Sequence, residues 1–217
     1  MKTKIDLQNW NRREHFDFFN SFEEPFFGLC SEIDCTEMVH NAKTSGQSLF
    51  LRYLHASMKA INSIPEFRRR IEGDSVFEYS CVHASVTIGR EDHTFGYCFL
   101  PWFEDYDDFA KAAEKPVSIV RNGSGLGLDP ANQRNDVIHC SSIPWVSFTG
   151  FRHARKLSFP DSVPKIIFGR THETQPDSRQ IMLPVSLDAH HGLADGYHAG
   201  LFFQRFQEFS LCSAMQR

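Results

Sequence analysis

Two adjacent histidines, His190 and His191, are followed by Gly192-Leu193-Ala194 and then by Asp195-Gly196-Tyr197-His198. His191 and Asp195 stand four residues apart with a glycine directly after the acid, a spacing that recurs where a neutral imidazole takes a proton from an alcohol or thiol. Imidazole suits that task because its ordinary pKa of about 6.5 leaves much of it as free base near neutrality. Two other readings stand beside this one. A histidine pair at the end of a strand also serves as a packed or solvent-facing loop feature. His190, His191, Asp195 and His198 could also ligate zinc, although no cysteine pair or second cluster accompanies them.

The flanking sequence predicts how such a turn is held. Ile181, Leu183, Val185 and Leu187 alternate, as a strand with one buried face does, and Leu201, Phe202 and Phe206 recur at helical spacing after Tyr197. Gly192 and Gly196 permit the tight bend between them. At the other end of the chain a strand candidate, Thr3 to Leu7, precedes a helix opening at Trp10 that keeps Phe16, Phe19 and Phe22 on one side. Arg12 and Arg13 lie in its first turn, where the helix dipole disfavours cations, so one of them is expected to have an acidic partner elsewhere.

Between these ends, Pro25 to Asp34 reads as a strand leading to a helix from Cys35 or Thr36 to Lys43, with Thr36 as a possible cap and Gly46 as its break. Gln47 to Ile64 predicts the longest helix before the C-terminus, ended by Pro65. Val76 to Tyr79, Val82 to Ile88 and Phe95 to Phe99 read as three strands of one meander, and Glu104 to about Ser118 as a helix. The Gly123-Ser-Gly-Leu-Gly loop follows a helix rather than a strand and so lacks the context of a phosphate cradle. Val137 to Phe151 alternates as strands do, interrupted at Pro144.

Composition narrows the function classes. A chain of 217 residues suits one domain, 1–217, with a substantial core. A formal charge of -4 gives no electrostatic case for nucleic acid or an anionic membrane. Six cysteines without a CxxC pair read as reduced thiols, and the start of the chain lacks the apolar core of a signal peptide, so a soluble, cytoplasmic protein is expected. The 21 phenylalanines either fill a core or line a pocket for a ring-bearing small molecule.

Four landmarks in order, Trp10-Asn-Arg12-Arg-Glu-His-Phe16, Pro65-Glu-Phe-Arg68, Ser141-Ser-Ile-Pro-Trp-Val-Ser-Phe148 and His190-His191 to His198, carry a full-length resemblance. The chain resembles the trimeric, acetyl-CoA-dependent chloramphenicol acetyltransferase family. That resemblance implies a CoA-dependent acyltransferase-like α/β two-layer sandwich, its mixed, largely antiparallel sheet covered by helices. It also implies a homotrimer with active sites at subunit interfaces, acetyl-CoA as co-substrate and no metal. The implied reaction is acetyl transfer to a hydroxyl of a small acceptor, chloramphenicol or a related molecule, with antibiotic resistance as the associated role. On matching positions His191 is the general base, Ser141 donates to the oxyanion, and Asp195 and Arg12 form a salt bridge that supports the site. Phe18, Phe19, Phe95, Tyr97 and Phe151 fall in the acceptor pocket and Arg170 near a coenzyme phosphate.

The chain also departs from that family. Arg152-His-Ala-Arg-Lys156 replaces an Asn- or Asp-Leu-Asn phrase bordering the acceptor and bracing the arginine pair. Ile167 stands for a threonine, Arg170 and Ser48 for lysines, and Phe19 for a tyrosine that contacts the drug. These changes open two alternatives: a related acyltransferase with the same His-x-x-x-Asp-Gly turn and another acceptor, or a member of the fold that binds a small molecule without catalysis.

Overall fold

The structure, a computed structural model, describes residues 1–128, 130, 134–156, 158, 160–175 and 179–212. In chain order its strands are β1 (Lys2–Lys4), β2 (Phe26–Asp34), β3 (Arg69–Glu72), β4 (Ser75–Tyr79), β5 (His83–Gly89), β6 (Phe95–Leu100), β7 (Val137–Ser142), β8 (Lys165–Phe168), β9 (His172–Glu173) and β10 (Ile181–His190). The helices are α1 (Arg13–Phe19), α2 (Thr36–Ser45), α3 (Leu49–Asn62), α4 (Tyr106–Asn122) and α5 (Gly196–Cys212).

The larger sheet runs β2-β10-β8-β7-β5-β6, with β9 pairing the start of β10. β7 pairs in parallel with both β5 and β8, and the other neighbours are antiparallel, so the sheet is mixed as expected. Strand alternation divides its two faces. Ala84, Val86, Ile138, Cys140, Ile166, Phe168, Leu183, Val185 and Leu187 turn to one side and join Leu54, Met58 and Ile61 of α3 with Phe202 and Phe206 of α5 in the main core. Alternate residues therefore project from the opposite face, and most are polar: Ser85, Thr87, His139, Ser141, Lys165, Ser186 and Asp188.

Several expectations are corrected by pairing. The three-strand meander does not form: β5 and β6 pair, but β4 belongs to a separate sheet, ordered β1-β4-β3. Gly73, at φ +57°, turns β3 directly back into β4, which uses its hydrogen-bonding edges on β3 and β1 instead of β5. Sequence pattern missed β3 because Arg-Arg-Ile-Glu reads as a charged surface. Thr36 is not the cap of α2. Cys35 holds that position, and the Asp34 carboxylate accepts from the Thr36 amide at 3.0 Å and its hydroxyl at 2.6 Å. Helix α1 begins at Arg13 rather than Trp10, and α4 continues through Pro116 to Asn122. Of the strands expected between Val137 and Phe151, only β7 forms, since the chain turns at Pro144.

Arg70 explains how β3 is tied to the large sheet. Its side chain is fully buried and donates to the carbonyls of Phe67 (2.9 Å), Arg69 (2.6 Å), Asn135 (2.7 Å) and Val137 (2.6 Å). Burial lowers its pKa to about 10, which leaves it cationic at neutral pH. These bonds anchor the entry to β7, the strand that carries Ser141. Replacing Arg70 by Met strands buried carbonyls, each worth roughly 1 to 3 kcal/mol. A thermal midpoint lower by about 6 °C or more is expected for Arg70→Met in a scanning melt, and an unchanged midpoint would show that the β7 entry is held by other contacts.

Candidate active site

Between β10 and α5 the chain makes a turn whose backbone is held from several directions. His190 is buried, and its Nδ1 accepts from the Gly192 amide at 3.1 Å, while its carbonyl accepts from Leu193 (2.9 Å) and Ala194 (3.1 Å). Burial, reinforced by the nearby Arg155 cation, lowers the His190 pKa to about 4, so the ring is neutral and its lone pair serves the turn. Among the described residues no group of three or more His, Cys, Asp or Glu is placed to hold a metal ion.

His191 is fixed by different means. Its amide donates to the Pro25 carbonyl at 2.7 Å, which pins the turn to the chain entering β2. Its imidazole lies flat on Phe19, ring centroids 3.8 Å apart and planes 3° from parallel, with Phe27 tilted against it at 4.7 Å. Nδ1 is buried and has no hydrogen-bond partner among the described residues.

Arg12, just before α1, ties the N-terminal segment to this turn. Nη1 donates to Asp195 Oδ2 at 2.6 Å, Nη2 to the His191 carbonyl at 2.9 Å and Nε to the Gly192 carbonyl at 3.2 Å. The acidic partner expected for this first-turn cation is thus Asp195. Arg12 itself, at φ -101°, occupies the N-cap position just outside the helix. Burial pushes the Asp195 carboxyl up, but the Arg12 hydrogen bond, nearby His198 and the Tyr197 amide outweigh it and hold its pKa at about 2.

Ser141 belongs to a second locus, on the polar face of the large sheet. It shares a hydrogen bond of 2.6 Å with Thr87 on neighbouring β5. Both line a cavity of about 630 Å³ together with Ser85, Tyr97, His139, Phe151, His153, Lys165 and Ile167. Register partners Ser85 and His139, then His139 and Lys165, lie side by side one step along the strands from Ser141. Burial and the nearby Lys165 cation lower both His139 and His153 to about 4. Lys165 itself is paired with Asp161.

The aromatic residues assigned by resemblance are divided between these loci. Tyr97 and Phe151 line the Ser141 cavity, and Phe95 sits 5.8 Å from Tyr97 at an exposed position. Phe19 covers the His191 ring instead, with Phe18 edge-on to it at 5.1 Å. Arg170 is exposed just beyond β8, its amide donating to the Val146 carbonyl. In the divergent 152–156 segment, Arg155 lies over the Phe26 ring at 3.2 Å and pairs with Glu24 at 2.8 Å, bracing the start of β2. Thr87, His139, Lys165 and Phe27 were not singled out from sequence, whereas His153 was noted only as part of the divergent 152–156 segment. Their signal was weak but present: His139 and Ser141 are two apart on one strand, as are Ser85 and Thr87, and so share a face.

His191 and Ser141 do not meet within one chain. Register aligns Ser141 with Ile167 and Ile167 with Ser186, which is five residues from His191 along β10. Strand geometry makes that about 17 Å along the strand and about 10 Å across two strand spacings, far beyond the reach of two side chains to one carbonyl.

The acid dependence of the turn follows from Asp195. Its folded-state pKa lies below the ordinary 3.8, so the stabilisation is fully present above pH 4 and is lost as pH falls toward about 2. A thermal midpoint followed from pH 6 to pH 2 should fall more steeply for the wild type than for Asp195→Asn, whose carboxamide does not titrate. Parallel curves would remove Asp195 from the acid-sensitive groups.

Known proteins resemble this chain over nearly its full length. The family model described as chloramphenicol acetyltransferase matches residues 1–207. The chain is 29% identical over 216 residues to chloramphenicol acetyltransferase 3 of Escherichia coli, covering 98% of this chain and 97% of that one. A solved chloramphenicol acetyltransferase superposes with a TM-score of 0.89 at 30% identity, covering 96% and 99% of the two chains. The cubic core of the pyruvate dehydrogenase multienzyme complex, at 17% identity and a TM-score of 0.67 over 88% of this chain and 84% of that one, shares the fold. With a family model matching residues 1–207 and a solved relative at 30% identity covering nearly the whole chain, the chain belongs to the chloramphenicol acetyltransferase family.

Proposed function

We propose that this chain transfers the acetyl group of acetyl-CoA to a hydroxyl of a small acceptor, chloramphenicol or a related molecule, in a cleft between protomers of a homotrimer. The observation that carries this reading is the held imidazole of His191. Its ring is clamped by Phe19, its backbone by Arg12 and Pro25, and Nδ1 is covered.

In the reaction, His191 takes the acceptor's hydroxyl proton as that oxygen bonds to the thioester carbonyl carbon. Ser141 donates to the carbonyl oxygen as it becomes an oxyanion, and Thr87 orients the Ser141 hydroxyl through their shared hydrogen bond. Collapse of the tetrahedral species breaks the carbon–sulfur bond, and the departing thiolate recovers the proton from the imidazolium. No covalent bond to the enzyme is needed. Arg12 and Asp195 act by position, and Arg170 would face a coenzyme phosphate.

The homotrimer is supported by the separation of His191 from Ser141: one protomer would supply the imidazole and its partner the oxyanion donor. Phe18, Phe22, Phe95 and Trp145 are exposed on the isolated chain, as residues that a subunit interface covers would be. Acetyl-CoA is a cytoplasmic metabolite, which fits a cytoplasmic protein. Among the described residues no helix is long and apolar enough to cross a membrane.

Thiol release from acetyl-CoA with chloramphenicol as acceptor tests the chemistry. His191→Ala is expected to lose essentially all turnover, and Ser141→Ala about 10²- to 10³-fold. Co-refolding the two inactive variants in equal amounts tests the shared cleft. Random assembly gives intact His191–Ser141 pairs at about one interface in four, so about a quarter of the wild-type rate should return. No recovery in verified mixed trimers would place both residues in one chain's site and sink the interfacial reading.

A further inference from the structure

The Ser141 cavity has a polar floor that the acetyl-transfer step does not use. Ser85 is 1% exposed, lines the cavity, and its Oγ has no hydrogen-bond partner among the described residues. His153, from the divergent 152–156 segment, lines the same cavity with a buried, unpartnered Nε2. His139 stands beside Ser85 in register, and Tyr97 and Phe151 form aromatic walls. Buried polar atoms are ordinarily paired, and two on one cavity without a partner among the described residues are free to bond a ligand there.

The charges around this floor define the partner. Lys165 is neutralised by Asp161, and Arg134 by Asp136, so neither cation is left over for an anion. The imidazoles are neutral near pH 7, each with one donor and one acceptor nitrogen. A hydroxyl or amide matches such groups because it also donates and accepts. The aromatic walls suit the apolar C–H face of a compact ring.

We propose that the cavity beside Ser141 seats a neutral, hydroxyl- or amide-bearing end of the acceptor, hydrogen-bonded by Ser85 and His153, in preference to an unsubstituted aryl end. This rests on the acetyl-transfer reading for the position of the reacting hydroxyl, and it deepens that reading by naming the acceptor class. An aryl end would leave both groups unpaired. Sites built to hydrogen-bond a substrate reject analogues lacking the matching group, here by about 10-fold or more for each orphaned atom.

The test compares myo-inositol and N-acetylglucosamine with the aryl acceptors benzyl alcohol and 2-phenylethanol, and runs chloramphenicol alongside as the control for transfer itself, by thiol release from acetyl-CoA and, without acetyl-CoA, by calorimetric binding. In the wild type at least one of the polar pair should exceed both aryl acceptors in kcat/KM by about 10-fold or more. Ser85→Ala and His153→Phe should each narrow that ratio by about 10-fold while leaving the thermal midpoint near the wild-type value. Thiol release confined to the aryl acceptors, with a ratio unchanged in both variants, overturns the polar seat but leaves acetyl transfer standing. Binding of the polar pair that weakens in both variants, with no thiol release from any acceptor, supports the seat and sinks the transfer reading. Neither binding nor release of thiol with the polar pair counts against the seat.

Discussion

The guanidinium of Arg12 is the contact on which the geometry of this molecule depends. It joins the first helix to the turn after the last long strand, 183 residues away in sequence for the Asp195 contact, and holds two backbone carbonyls as well as a carboxylate. A lysine could supply the charge but not the planar fork that reaches three acceptors at once. Ion pairs shielded from water contribute little net stability once desolvation is counted. The physical consequence here is positional: the His191 carbonyl is fixed, so the imidazole attached to the same residue has few orientations left.

The second organising constraint is the alternation of the large sheet. One face is apolar and carries α3 and α5; the other presents Thr87, Ser141, His139, Lys165 and Asp188. Pairing and local space accommodate several of these groups. Thr87 meets Ser141, Lys165 meets Asp161, and Asp188 lies close over Gly28, where an added Cβ would sit 2.5 Å from its carboxylate oxygen. Burial raises the Asp188 pKa despite the neighbouring Arg155 and Lys165 cations. A sheet face of this kind cannot be covered by an ordinary apolar layer, and the cavity lies on it.

The divergent segment around Arg152 has a structural meaning beyond its departure from the family pattern. Arg155 stacks on Phe26 and pairs with Glu24, so the loop braces the chain just before the strand that pairs with β10. His153, from the same loop, points its chemistry into the cavity lining instead. One short segment thus connects the support of the histidine turn with the composition of the Ser141 cavity.

Local pattern was enough to specify the strand, turn and helix around His191, because burial of one strand face and one helix stripe imposes periods visible in a short window. The landmark residues were also sufficient for the family, the mixed sheet and the Arg12–Asp195 pairing. Pattern could not decide which edge β4 would pair with, since a strand carries no local mark of its partner, and a two-residue turn at Gly73 overrode the meander. Nor could it reveal β3, where a buried Arg70 looks like surface charge until four carbonyls surround it. Only the tertiary structure separated Phe19 from Phe151, and His191 from Ser141. Those distances depend on register across three strands, and register is a property of long-range pairing that no contiguous stretch of residues contains.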